Sequence, residues 1–398
     1  MTTATATREV GSARRWSILA VSMLAALSTA CVVNGGAFLI PELQRSTGIS
    51  LPTGSTLAMM ASVGLMITTV PWGAALDRYG ERAILLLSLA GTVVATVGAV
   101  VAAAMSAPIW VLGMTLLLAG ASAASTNGAG GRIVVGWFPA EQRGTAMGIR
   151  QMAQPLGVGV VAMTVPVLAH HFGLAAGIAV FPIVAAVALV LSTAVIVDPP
   201  QSTKASGEQV PNPYRHNNFL WRVHGVSVLL VIPQMALWTF VPVWLMVERG
   251  WAPATAGVLV TGTQIVGALG RIAAGRWSDQ WGSRMRPIRI IAAAAAISTM
   301  ALAVTDFWNS PAAIVIMVVA SVITVADNGL AFTSIAEFAG PSWSGRALAI
   351  QNTMQYLVGS AAVPLIATTI DDVGYPLAFA IVAITPLIAL PLVPRDPK

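Results

Sequence analysis

The sequence predicts an all-α polytopic membrane protein, with twelve transmembrane helices in two pseudo-symmetric six-helix halves. Three observations predict it. The chain of 398 residues is 56% hydrophobic and 9% charged, whereas a soluble domain carries about 25% charged residues. Twelve apolar runs stand along it, each close to the roughly 20 residues that cross a bilayer as a helix. A ten-residue frame also recurs about half a chain away, and repeats set architecture. A transmembrane barrel would instead show alternating segments of about ten residues.

Taken in order, residues 1–15 are Thr/Ala/Arg-rich and read as a cytoplasmic tail. The first span is expected at 16–40. Arg14 and Arg15 followed by Leu-Ser-Thr-Ala-Cys faintly resemble a lipoprotein signal, but the apolar run continues past Cys31, too far for a signal-peptide core. Further spans are expected at 55–76, 82–104, 108–136, 145–169 and 173–197. Residues 198–221 hold Pro199, Pro200, Lys204, Glu208, Pro211, Pro213 and Arg215 and read as a cytoplasmic linker between halves 16–197 and 222–394. The second half is expected to span at 222–247, 253–277, 287–305, 311–336, 345–369 and 374–394, leaving 395–398 as a short cytoplasmic tail.

Charge placement gives the orientation. With both termini in the cytoplasm, Arg45 and Arg249 are the only basic residues in outer loops, and the other nineteen of the 21 lie on the inner side or within the inner part of a span. The net charge of +6 is thus a topology signal and not a nucleic-acid signal. One cysteine, Cys31, excludes a disulfide framework within the chain. No phosphate-binding Gly-rich loop, metal-ligand spacing or nucleophile–base arrangement is visible, so neither a metal nor a cofactor is expected, nor enzymatic activity.

The repeated frame is Gly-x-x-x-Asp-x-x-Gly-x-Arg. Gly73, Asp77, Gly80 and Arg82 match Gly275, Asp279, Gly282 and Arg284; Arg78 has Gln280 as its counterpart. Asn127-Gly128 likewise falls opposite Asn328-Gly329, and Ala146-Met-Gly-Ile opposite Ala347-Leu-Ala-Ile. With the Trp137-Phe-Pro-Ala-Glu-Gln-Arg143-Gly stretch, these residues resemble the major facilitator superfamily over the whole length. The resemblance implies the major facilitator fold, a functional monomer in the cytoplasmic membrane, and secondary active transport of a small molecule by alternating access. It also implies that the frame latches the cytoplasmic side through Gly73, Asp77, Arg78, Gly80, Arg82, Gly275, Asp279, Gly282 and Arg284; the plainer reading is a solvated turn that sets topology.

Ionisable residues inside spans are costly and usually functional. Arg150 lies about 10 Å into span 5 and Arg271 about 12 Å into span 8, at 1.5 Å per residue. Asp327 lies in the inner half of span 10. Arg271, in Gly-Arg-Ile-Ala-Ala-Gly-Arg-Trp-Ser-Asp, resembles the anion-holding arginine of organic-anion branches such as the oxalate/formate and monocarboxylate carriers. A guanidinium suits a carboxylate because it offers two parallel hydrogen bonds. Arg150 is a second anion contact by the same reasoning, and Asp327 a candidate proton site; a structural pair of Asp327 with Arg271 or Arg132 is the alternative. Asn34, Gln154, Gln234, Trp238, Gln351 and Gln355 complete the expected substrate-binding set. The runner-up is a drug/proton antiporter for apolar or cationic compounds; Gln154-Pro155-Leu156-Gly157 departs from that branch. A non-transporting sensor or enzyme finds no appended domain or catalytic cluster. Gly113, Gly120, Gly157, Gly159, Gly262, Gly267 and Gly270 are expected at close helix contacts. Asp77→Asn is expected to weaken transport while leaving membrane insertion intact; normal turnover in reconstituted vesicles would remove the latch.

Overall fold

The structure is a computed structural model and describes residues 11–138, 146, 149, 150, 152–198, 212–215, 217–340 and 343–396. Among these there is no strand. The helices are α1 (Ser12–Gly35), α2 (Ile40–Thr47), α3 (Leu51–Tyr79), α4 (Glu81–Ala104), α5 (Ile109–Ala123), α6 (Ser125–Trp137), α7 (Ala153–Phe172), α8 (Leu174–Ile178) and α9 (Val180–Val195). They continue as α10 (Phe219–Val243), α11 (Pro253–Trp281), α12 (Met285–Phe307), α13 (Ala312–Ile323), α14 (Asp327–Ala339) and α15 (Ser344–Ala389).

Among the described residues, eleven stretches are long and apolar enough to cross a membrane. The last, Arg346–Leu392, runs for 47 residues, about twice what a bilayer needs. Gly374 divides it: at φ 81° and ψ 169° it cannot continue a helix, and the chain resumes at Tyr375 as a further span. The twelve-span expectation follows once this one residue is taken into account.

Two spans expected to be continuous are broken. Span 4 divides at Ala124 into α5 and α6, and span 10 divides at Thr324–Ala326 into α13 and α14. Backbone groups released inside hydrocarbon must find partners within the protein. At the first break they do so through side chains of three other helices. The Ala121 carbonyl accepts the Trp72 indole N–H and the Thr68 hydroxyl, both at 2.7 Å. The Ser122 carbonyl accepts the Ser88 hydroxyl. The Ala123 carbonyl accepts from Thr126 at 3.0 Å and from Thr29 at 3.4 Å.

The chain forms two compact units by backbone proximity. One comprises Met1–Gly35, Met60–Val158 and Ala175–Glu208; the other Gly36–Met59, Gly159–Leu174 and Gln209–Lys398. In the first, α4 packs on α5 and α9, and α1 packs on α9 and α6. Its closest approach joins α3 to α5. A Cβ built on Gly64 would overlap the Leu117 carbonyl, and one on Gly120 the Ala61 carbonyl. Gly157 lies close against α1, with the Leu27 carbonyl 2.8 Å from where a Cβ would stand. In the second unit α15 packs on α10 and α12, and α13 on α11 and α12. Gly159, Gly267 and Gly270 face Thr261, Val325 and Val322 at 3.2–3.3 Å. Gly262 departs from expectation: nothing lies within 4 Å of its Cβ position, so it makes no close helix contact among the described residues.

Overpacking a tight helix contact costs about 1–3 kcal/mol. Gly120→Ala is therefore expected to lower the unfolding free energy by about that amount and Gly262→Ala to leave it near wild type, by thermal unfolding in detergent.

Candidate functional site

The second unit concentrates its polar side chains at the break in span 10. Asp327 occupies the first turn of α14, where the positive end of the helix dipole favours a carboxylate. Ala326 N–H bonds to the Ile323 carbonyl at 3.1 Å, a tighter turn than the α-helix uses. The neighbouring Val325 carbonyl accepts the Arg271 Nε–H at 3.1 Å. Arg271 and Asp327 also lie within electrostatic reach of each other. The break thus sets an arginine of α11 beside a buried carboxylate of α14.

Asn328, next along, ties three helices together. Its Nδ2 donates to Gln234 Oε1 of α10 at 2.8 Å, and its Oδ1 accepts from Gln355 Nε2 of α15 at 3.2 Å. Gln355 Nε2 also reaches the Ser227 hydroxyl at 3.3 Å. Gln234, Asp327, Ser227 and Gln355 are all buried, so each hydrogen bond replaces one that water cannot supply. Asn328 was legible in the sequence only as a partner of Asn127 in the repeat; nothing marked it as the centre of the network.

His224 and Gln351 form a second group, one helical turn away. His224 is fully buried. Its Nδ1 lies 2.6 Å from Gln351 Oε1, an acceptor, so Nδ1 carries the proton. In the neutral ring Nε2 then accepts from the Tyr214 hydroxyl at 2.9 Å. The Tyr214 ring also stacks on the imidazole, with centroids 5.9 Å apart and planes at 14°. Burial pushes the Tyr214 hydroxyl above its ordinary range, which keeps it a donor. Gln351 Nε2 has no partner among the described residues. A buried histidine at the start of span 7 gave no sequence signal beyond its residue type, and its partners come from 10 residues before and 127 residues after it.

Trp238 stands apart from this network. It lines a small cleft together with Leu237, Val260, Thr263, Gln264 and Met317.

In the first unit, Arg150 is buried against the Gly130 backbone. Asn34 Nδ2 returns to the Ala30 carbonyl of its own helix at 2.9 Å. Gln154 is half-buried in α7. Arg132 pairs with Glu81 at 2.6 Å.

At the repeated frame, Gly73 is exposed within α3 and Gly275 half-buried within α11. The side chain of Asp77 lies outside the described residues. Arg78 sits 5.3 Å over the Tyr79 ring. Gly80 and Gly282 both take left-handed φ values, 83° and 58°, which glycine adopts without penalty. The Arg82 guanidinium reaches a backbone carbonyl, Thr193, at 3.0 Å. Arg284 pairs with Asp279 and, at 3.0 Å, with Glu337 of α14. The Glu337 hydrogen bond is the main cause that raises the Arg284 pKa above its ordinary value.

Long apolar spans throughout the described residues, an arginine at a broken helix and a duplicated charged turn define a multi-pass membrane carrier. The sequence pattern of the Major Facilitator Superfamily matches residues 18–364, and the chain belongs to that superfamily of secondary transporters. It is 47% identical over 386 residues to the uncharacterized MFS-type transporter Rv2994 of Mycobacterium tuberculosis strain H37Rv, covering 96% of this chain and 86% of that protein. The same figures hold for the uncharacterized MFS-type transporter MT3072 of strain CDC 1551 / Oshkosh. The fold is similar to that of a D-xylose–proton symporter, with TM-score 0.78 and 16% identity over 96% of this chain and 98% of that one. It is similar also to a bacterial homologue of the human lysosomal transporter Spinster, with TM-score 0.77 and 14% identity over 96% and 97%.

Truncating Asn328 strands the Gln234 oxygen and one Gln355 bond. Hydrogen bonds between membrane helices couple by about 0.6 kcal/mol, and at most about 1.7. In a double-mutant cycle of Asn328→Ala and Gln234→Ala, read by thermal unfolding, a coupling of that size is expected; strict additivity would show that the bond contributes nothing.

Proposed function

We propose that this transporter moves a small organic anion of carboxylate type across the cytoplasmic membrane, with both termini on the cytoplasmic side, and that it works as a monomer. The observation that carries the reading is the state of Arg271. Among the described residues its Nε alone is engaged, by the Val325 carbonyl. Both terminal nitrogens remain for a ligand, in the side-by-side geometry that fits a carboxylate. Gln234, Asn328 and Gln355 supply neutral donors and acceptors nearby. Arg150 is the second anion contact in this reading, and Gln154 and Asn34 are further members of the binding set.

Asp327 supports a coupling to protons. Ionised, it offsets the charge of Arg271. Protonated, it releases that charge for an incoming anion, so that proton and anion favour each other's binding. An exchange of one anion for another needs no such step and is the alternative form of coupling. In the frame, Asp77 and Asp279 with their neighbours act as the cytoplasmic latch.

A second reading, export of apolar or cationic compounds in exchange for protons, draws on the mostly apolar cleft at Trp238.

Ligand that binds the folded state at 100 times its Kd stabilises by about 2.7 kcal/mol. The purified protein, tested against a panel of carboxylates and a panel of lipophilic cations, is expected to gain thermal stability from a carboxylate and to lose that gain in Arg271→Gln. Stabilisation by cations alone, unchanged in the variant, would overturn the anion reading and establish the second one.

A further inference from the structure

Each copy of the repeated turn opens a helix, and in neither does the residue immediately before the helix supply a side-chain cap; in the second copy the Ser283 hydroxyl accepts the Arg286 N–H at 3.1 Å. Gly80 precedes α4 and Arg284 precedes α12, and neither makes a side-chain cap. The first N–H groups of a helix need acceptors, and the helix dipole favours a negative one. In both cases a carboxylate arrives from more than a hundred residues along the chain. Asp198 Oδ1 accepts the Arg82 N–H at 2.7 Å, across 116 residues. Asp396 Oδ1 accepts the N–H of Arg284 at 2.9 Å, across 112 residues, and that of Met285 at 3.1 Å. Its Oδ2 accepts the Ser283 hydroxyl.

The two carboxylates occupy like positions. Asp198 follows α9 and precedes Pro199; Asp396 follows α15 and precedes Pro397. A following proline disfavours helical backbone at the residue before it, so the chain leaves the span extended.

Further contacts fix each segment. The Trp137 indole donates to the Val197 carbonyl at 3.1 Å, and the Arg82 guanidinium returns to α9 at the Thr193 carbonyl. In the second unit Arg222 donates to the Leu392 and Pro391 carbonyls at 2.9 and 3.1 Å, and Arg289 to the Val393 carbonyl at 3.2 Å.

We propose that Asp198 and Asp396 are the positioning residues of the two gating turns, each clasping its turn to the last span of the same half so that turn and span move together. The proposal rests on the reading of the repeated frame as a gate.

The charge state suits this role. Burial raises the Asp396 carboxyl; the Ser283 hydroxyl, the Met285 and Arg284 N–H groups and the Arg286 charge outweigh it, and the net shift is downward. The carboxylate is therefore charged at neutral pH, and the clasp opens only as pH falls through that lowered value. Arg284 itself is engaged by Asp279 and Glu337, and Arg222 and Arg289 by carbonyls.

Amide hydrogen exchange of the full chain in lipid nanodiscs tests it. Asp396→Asn is expected to raise exchange at Arg284 and Met285 at least tenfold with Arg82 unchanged, and Asp198→Asn to do the reverse. Asp396→Glu, which keeps the charge, is expected to stay within threefold of wild type. Should Asp396→Asn fail to fold, Ser283→Ala removes one donor to the carboxylate, with at least a threefold rise expected at Arg284; the rise at Arg286, whose own N–H loses the Ser283 hydroxyl, is read separately. Changes below twofold at the turn, or an equal rise across both units, overturn the proposal. Asp77→Asn keeps the gate question separate: normal turnover there removes the latch and leaves the exchange result standing.

Discussion

A peptide group inside hydrocarbon has no water to turn to, and the fold depends on how each such group is satisfied. A continuous helix meets the demand by itself. A broken one does not, and this chain breaks two of its spans at corresponding places. The break in span 4 is closed by neutral partners: a tryptophan, two threonines of other helices, a serine and the chain's own Thr126. The break in span 10 is met by the chain's own Thr324 hydroxyl at the Ser321 carbonyl and by an arginine at the Val325 carbonyl. One architectural necessity has therefore been answered twice, once with neutral groups alone and once with a charge among them.

That difference separates structural repair from chemistry. A hydroxyl or an indole closing a carbonyl has no further capacity to bind an ion. A guanidinium holding one carbonyl through Nε keeps two further nitrogens, and Asp327 at the adjoining helix start supplies a compensating charge. Charged groups away from water are stable only with partners. The surrounding amides of Gln234, Asn328 and Gln355 hold this arrangement to three helices, two of which, α10 and α15, also carry the His224–Gln351 contact.

The repeated turn obeys the same demand at the water-facing ends of the spans. Its glycines allow the chain to reverse, its Asp279–Arg284 pair closes the second turn on itself, and distant aspartates satisfy the exposed N–H groups of the helices that follow. Turn and cap lie more than a hundred residues apart, yet both occur in duplicate.

The sequence by itself determined the class: so little charge and so many apolar runs leave no option but a polytopic membrane protein, and the duplicated Gly-x-x-x-Asp-x-x-Gly-x-Arg frame identifies the superfamily. It also marked Arg271 and Asp327, because an ionisable residue inside an apolar run is conspicuous by its cost. It did not reveal the helix breaks at Ala124 and Thr324–Ala326, since the residues there are as apolar or as small as their neighbours and no proline or glycine punctuates them. Nor did it reveal that Asn328 centres the polar network, that His224 has two partners, or that Asp198 and Asp396 are caps. In each case the meaning lies in a partner remote in sequence, and a uniformly apolar pattern gives no period from which the facing side of a helix is read. Only the tertiary structure, by deciding which helix faces lie together, turned isolated polar residues into a site.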